Sequence, residues 1–356
     1  MKQTALLLLC CLMFLAAGCI TQAPVAPANG NNPGNAASTN PPVEVAVTQI
    51  PLEGPITKPK AETSGLTWYG DHLIILPQYP SGLNKHPGGA LYTIPREQIE
   101  AFLDGEITGP ITPTPVPFTS GRIEKTIEGF EGFEAVVFTD DQIFLLIEAK
   151  QRNRMKSILV RGDVEPDLSE IRIDTASLTD VPLDVQISNF SNESLVIDGD
   201  RLLLFYEANG VLPYRNPRAL RYTFDLQPDG AIPMENLEYR LTDATTLDDQ
   251  GRFWVTNFFF PGDIKIMPRK DPVAEQFGKG PTHAEDSVVE RLVEFQLPAE
   301  EGGEITLSGR PPVQLVLTDG LIPRNWEGIA RLEGRGFLLV TDRYPESILA
   351  FVPYTE

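Results

Sequence analysis

One spacing recurs five times in this chain, and it restricts the possible folds more than any other feature. Ser64 leads through Gly65-Leu66-Thr67-Trp68, a turn at Gly70-Asp71 and the run Leu73-Ile74-Ile75-Leu76 to Gln78. Glu134 leads in the same way through Asp140-Asp141 to Glu148, Glu193 through Gly199-Asp200 to Glu207, and Asp243 through Asp248-Asp249 to Asn257. Glu327 leads through Glu333-Gly334 to Asp342. The separations between first and last polar residue are 14, 14, 14, 14 and 15. A fixed internal period of this kind marks a repeat architecture.

Each unit reads as a strand, a tight turn and a second strand that is almost wholly apolar. A short apolar run bounded by turn signals suits a strand covered on both faces. A third strand follows each hairpin: Ala90 to Ile94, Ser157 to Val160, Leu220 to Phe224, Leu292 to Phe295 and Ile348 to Phe351. Four units leave room for a fourth strand. The last does not, and the alternating segment Val43 to Ile50 supplies one by closing the ring. Four-stranded units repeated radially make a β-propeller. The expected fold is therefore all-β, a propeller with five recognisable four-stranded blades; the 84-residue interval before the last unit has room for a sixth. A β-sandwich would explain short strands but not one spacing in five copies. The 32 prolines argue against long helices, and Pro95 to Asp104 is the one short helix predicted on a blade connection.

In a propeller the first strand of each blade lines the axis, and the second returns to the face from which the first began. The terminal polar residues of all five units should therefore share one channel mouth. They are Ser64, Gln78, Glu134, Glu148, Glu193, Glu207, Asp243, Asn257, Glu327 and Asp342. Converging carboxylates repel and are pushed towards protonation unless a cation neutralises them. An all-oxygen set suits Ca²⁺ better than Zn²⁺, which would want His or Cys. Glu134, Glu193, Asp243, Asn257, Glu327 and Asp342 are the expected metal ligands, and Glu148 or Glu207 the general base. The bland alternative is that such residues accept backbone N–H bonds and fix the register between blades.

Loops on the same face carry Lys150, Arg152, Arg154, Arg215, Arg218 and Arg343, which would hold an anionic substrate. A solvated loop surface is the competing account of these charges. His86 and His283 lie on this face as candidate proton shuttles or plain loop histidines, whereas His72 sits at the opposite mouth. No Gly-x-Ser-x-Gly elbow, HExxH, CxxC or phosphate-cradling glycine loop is present, so the corresponding hydrolase classes are excluded. With 29 Lys+Arg against 49 Asp+Glu, a formal charge of −20, nucleic acid is not an expected partner.

The N-terminus sets the expected compartment. Lys2 precedes the apolar run Ala5 to Ala17, which is shorter than a membrane span. Leu15-Ala16-Ala17-Gly18-Cys19 resembles the lipobox of bacterial lipoproteins, which implies a signal peptide over 1–18 and lipidation of Cys19. All three cysteines lie within this segment, so the mature chain would keep only the acylated one. An ordinary secretory signal is the alternative. Ile20 stands where Asp would direct inner-membrane retention, so the outer membrane or cell surface is expected. Residues 19–44, rich in Ala, Asn, Pro and Gly, read as a disordered tether, and 45–356 as the propeller.

Two stretches carry a family resemblance. Asn325-Trp326-Glu327-Gly328-Ile329-Ala330 with Gly336 to Arg343, and Asn192-Glu193-Ser194-Leu195 with Tyr206-Glu207-Ala208-Asn209-Gly210, resemble phytase-like propellers, the family labelled "esterase-like activity of phytase". The resemblance implies a calcium-assisted phosphoesterase or esterase, with Glu193, Glu207, Glu327 and Asp342 foremost at the site. The chain departs from such a pattern at Ser64 and Gln78. The expected protein is a monomeric envelope lipoprotein hydrolysing an anionic ester. The alternative is a non-catalytic propeller that binds an envelope ligand, with calcium structural or absent.

Overall fold

The structure, a computed structural model, describes residues 43–355 apart from 87, 319–321 and 343–345. The signal segment, Cys19, nearly all of the tether and Arg343 lie outside the described residues.

All five hairpins form. Thr63–Tyr69 pairs with His72–Pro77, Phe130–Phe138 with Gln142–Gln151, and Asn192–Asp198 with Arg201–Tyr206. Arg240–Ala244 pairs with Arg252–Phe259, and Trp326–Leu332 with Gly336–Thr341. The two-residue turn Gly70-Asp71 puts Gly70 at φ 54°, a left-handed conformation that glycine adopts without a Cβ penalty. The third strands follow as expected, at Ala90–Pro95, Arg154–Val164, Arg218–Thr223, Val289–Gln296 and Leu349–Pro353. The first strands contact one another in a closed cycle, each touching the first strand of the repeat before and the repeat after. The result is an all-β, radial, propeller-type arrangement.

The apolar second strands explain the packing. Leu73 and Ile75 enter the cluster shared with the last repeat, while Ile74 and Leu76 enter the cluster shared with the second. Leu202 and Leu204 face the second repeat, and Leu203 and Phe205 the fourth. Alternate side chains of one strand thus fill opposite gaps, so each such strand must be apolar throughout. Five clusters occupy the five gaps between neighbouring repeats.

The outer edges vary. Thr114–Thr119 and Pro228–Pro233 are fourth strands of the first and third repeats. In the second, Ile171–Ile173 and Thr179–Val181 pair along one strand, and Ile171 and Arg172 also pair in parallel with Phe118 and Thr119 of the first repeat. The 84-residue interval holds the helices Pro272–Phe277 and Pro281–Glu285, and strands that join the fourth repeat's own sheet. No separate sheet forms there among the described residues. The predicted helix spans Arg96–Leu103.

The N-terminal segment closes the ring. Thr48–Ile50 pairs with Leu349 to Phe351 of the last repeat, and Glu44-Val45 pairs with Gln314-Leu315 of the fourth. Glu44, assigned to the tether by composition, therefore belongs to the fold. Its buried carboxylate accepts the backbone N–H groups of Thr282 and His283, the Thr282 hydroxyl and His283 Nδ1–H at 2.8–3.1 Å. Burial alone would raise its pKa, but these four bonds hold it below the usual carboxylate range. His283 Nε2 accepts the Glu290 N–H at 3.2 Å, so both ring nitrogens serve this clamp and His283 is neither a loop histidine nor a proton shuttle. Glu44→Ala is expected to cost about 1–3 kcal/mol, since the buried donors lose a charged acceptor; urea unfolding at pH 7 checks this.

Candidate functional site

A register slip sits at the same place in every hairpin. It falls between Thr63 and Gly65, Phe133 and Ala135, Asn192 and Ser194, Leu241 and Ala244, and Trp326 and Gly328. The skipped residues are Ser64, Glu134, Glu193, Thr242 with Asp243, and Glu327. These are β-bulges, which leave a residue outside the ladder and re-aim its side chain. The first polar residue of each repeat is thus released from strand alternation at the start of the inner strand. The glycine after Glu327 has a packing reason. A Cβ on Gly328 would lie 2.9 Å from the Leu66 Cβ and 2.5 Å from Val340, because the inner strands approach closely there.

The bulged residues divide into two groups. Ser64 donates to the Phe133 carbonyl at 2.5 Å, and Thr242 to the Trp326 carbonyl at 2.5 Å, each tying one repeat to another. Asp243 accepts the Ile329 N–H at 2.8 Å; burial drives its pKa well up, while backbone bonds from Ile329, Ala244 and Leu66 oppose the rise. Asn257 is fully engaged: its amide donates to the Glu238 and Arg240 carbonyls at 2.9 Å, and its oxygen accepts from Arg291 at 2.8 Å. Asp243 and Asn257, expected as metal ligands, instead fix the register. Their oxygen atoms are committed within the protein, and neither lines the mouth cavity.

The second group surrounds a cavity of about 650 Å³ at the channel mouth. Glu134, Glu148, Glu193, Glu327 and Asp342 line it, as the repeat geometry requires, together with Gln78, Glu62, Glu131, Asn325 and Arg240. Gln78 donates to Glu134 at 2.9 Å, and the Asn325 amide donates to Glu327. Burial pushes the Glu134, Glu193 and Glu327 carboxyls well above the usual range, and neighbouring carboxylates add to the effect. Glu148 is pushed up to about 8, by burial first and Glu207 second.

Arg240 is the member that the sequence analysis missed. It lies three residues before Asp243, outside the unit defined by spacing, so no repeat signal singles it out. Its guanidinium bonds Glu207 and, at 2.5 Å, Asp263, and stacks over Phe190 with 4.3 Å to the ring centroid. Burial would lower its pKa, but Glu207 and Asp263 raise it further, so it stays charged. Among the described residues it is the one cationic side chain lining the cavity. Glu207, expected as a general base, has no exposed surface and stands behind the lining as the anchor of Arg240. Its own pKa is raised by burial, with Arg240 opposing.

Five of the six expected basic residues are described, and they lie elsewhere; Arg343 is outside the described residues. Lys150 donates to Ser188 at 3.3 Å, Arg218 holds Asp184 through two nitrogens at 2.6 and 2.7 Å, and Arg152 and Arg154 border a separate groove on the second repeat. Arg215 and Arg218 border a shallow depression beside Tyr214.

The donor chemistry suits a hard cation. Glu148 Oε2, Glu193 Oε2 and Glu207 Oε2 are buried and receive no hydrogen bond, a costly state for a carboxylate without a proton or a cation. Among the described residues, however, no three His, Cys, Asp or Glu side chains converge closely enough to hold one metal ion. The protein's own carboxylates therefore do not form a complete cage.

No protein-family profile and no curated protein sequence matches the chain. Among solved structures, a putative glycoside hydrolase from Parabacteroides distasonis superposes over 90% of this chain and 95% of its own at 12% identity and a TM-score of 0.48. A glucose dehydrogenase superposes over 87% and 100% at 12% identity and a TM-score of 0.45. The soluble aldose sugar dehydrogenase of Escherichia coli does so over 87% and 100% at 11% identity and 0.42. At these scores the likenesses carry no inference about chemistry.

Proposed function

We propose that this chain is a five-bladed propeller of the bacterial cell envelope, lipid-anchored through Cys19, whose acidic mouth binds a divalent cation and hydrolyses an anionic ester. The supporting observation is the set of three buried carboxylate oxygens without a donor beside the mouth cavity. Glu193 would hold the ion, with water and substrate oxygens completing a shell that suits Ca²⁺. A bound Ca²⁺ would supply charge neutralisation and polarise the ester oxygen.

The chain's own residues take three roles. Glu148, pushed up to about 8 by burial, carries a proton to or from the reacting oxygen. Arg240, fixed from behind by Glu207 and Asp263, offers the cavity its positive charge. Gln78 and Asn325 orient Glu134 and Glu327. The phytase-like resemblance supports an ester of phosphate or carboxylate as substrate.

A second reading, a propeller that binds an envelope ligand without turnover, is favoured by one observation. Among the described residues, none of the expected anion-holding bases lines the cavity, and Arg240 is the one cation there to meet an anionic substrate.

Metal analysis and calorimetric Ca²⁺ titration, with phosphate and carboxylic esters assayed with and without chelator, separate the two. The enzyme reading expects chelator-sensitive turnover that Glu148→Gln lowers by about 10²-fold or more. Ca²⁺ binding with no turnover across the panel would leave the binding module. Absence of both would remove the cation from the account.

A further inference from the structure

The two ends of the channel differ in a way that the site chemistry does not use. Among the described residues, the exposed large hydrophobic side chains within the repeats are Val211, Leu212, Phe260, Ile264, Met267 and Ile322. Val211 and Leu212 lie between Tyr206 and Arg218, and Phe260, Ile264 and Met267 between Phe259 and Val289, all in connections from second to third strand. Ile322 lies between a fourth strand and the next first strand. Both kinds of connection belong to the mouth face, so all six are there. Phe260 and Ile322 border the mouth cavity itself. Ile264 is 76% exposed.

Charge divides the same way. The first four second-to-third connections carry exposed bases: Lys85; Arg152 and Arg154; Arg215; then Lys265, Arg269, Lys270 and Lys279. The turns on the opposite face each carry acid: Asp71, Asp140 and Asp141, Asp200, Asp248 and Asp249, and Glu333. In a chain of net charge −20, exposed bases thus gather with the apolar side chains on the rim of the mouth face, while the turns of the opposite face are acidic. Acids are interspersed among those bases, such as Glu275, which pairs with Lys270 at 3.2 Å.

From this placement we infer that the mouth face docks on an anionic lipid surface, with the loop Phe260 to Lys270 as its insertion element. That loop reads Phe-Pro-Gly-Asp-Ile-Lys-Ile-Met-Pro-Arg-Lys, with Ile264 and Met267 outward and the bases Lys265, Arg269 and Lys270 beside them. Apolar side chains that enter the headgroup boundary, flanked by Lys and Arg that remain at the phosphates, are the chemistry of interfacial attachment. A protein partner would account for exposed apolar side chains but does not require bases on four successive connections. Among the described residues no helix is long and apolar enough to cross a membrane. The choice of a lipid partner rests on the lipid-anchored reading proposed above: a tether of about twenty-five residues has an r.m.s. span of roughly 25–30 Å, which keeps the domain near the bilayer. The mouth then opens towards headgroups, and its ester would be presented by the membrane.

The test uses the mature full-length protein in phosphatidylethanolamine–phosphatidylglycerol vesicles. A fluorophore is placed on Ile264→Cys or, at the opposite mouth, on Asp200→Cys, and quenching by spin-labelled lipid is read. Quenching at 264 is expected to exceed that at 200 several-fold and to fall when Lys265, Arg269 and Lys270 are changed to Gln. Equal quenching at both positions, or none at 264, overturns the proposal and leaves the apolar loops to a protein partner. Phe260→Cys provides a second site on the same face should Ile264→Cys fail to fold. Mass spectrometry of the N-terminal peptide shows whether Cys19 is acylated, and the ester panel reports turnover, so failure of the anchor or the hydrolase reading is seen separately from failure of the docking face.

Discussion

Replacing Arg240 with Met is expected to lower stability by about 3–5 kcal/mol at pH 8, the usual result of removing one partner from a buried ion pair. Glu207 and Asp263 would lose their cation, and Glu193 a nearby positive charge. Acid should rescue the variant, because protonated carboxyls need no counter-charge, so the loss at pH 5 is expected to be clearly smaller. Urea unfolding of both proteins at the two pH values measures this. A loss of equal size at both would mean that Arg240 matters through packing on Phe190 rather than through charge.

Stability of the unsubstituted protein should itself decline by about 3–5 kcal/mol between pH 5 and pH 8 in the presence of chelator. Glu148 in the folded chain keeps its proton up to about pH 8, and Glu134, Glu193 and Glu327 are also raised by burial. In the unfolded chain the same groups lose theirs near 4.3. Between those limits the folded state binds more protons, so raising the pH favours unfolding. Added Ca²⁺ should restore stability at pH 8 and do little at pH 5, where protons already neutralise the cluster. A flat profile across the window without metal would show that the cluster is compensated by something other than protons.

Much of this was readable because the repeat imposes geometry on chemistry. The spacing of 14 or 15 residues identified all five hairpins, and the uniform apolarity of Leu73 to Leu76 or Leu202 to Phe205 announced strands packed on both faces. The convergence of Glu134, Glu148, Glu193, Glu327 and Asp342 followed from topology alone. What the sequence did not disclose was each residue's obligations. Asp243 and Glu193 hold equivalent positions in their repeats, yet one accepts backbone N–H groups from neighbouring strands and the other faces the cavity. That difference depends on how closely the inner strands approach. Arg240 and Glu44 were missed because their partners, Asp263 and His283, lie in an insertion with no periodic signal. The bases Lys150, Arg152, Arg154, Arg215 and Arg218 were placed on the correct face by topology, but loop length and local acids such as Asp184 kept them out of the cavity.

Pairing of Thr48–Ile50 with Leu349 to Phe351 has a bearing on biogenesis. A chain synthesised from its amino end delivers residue 48 some three hundred residues before the segment that must receive it. Until the last strand emerges the circle stays open, with one flank of the first repeat and one of the fifth bare. Contacts so distant in sequence form late and slowly. A holding factor, or swift delivery of the final hairpin, is thus built into the requirements of ring closure.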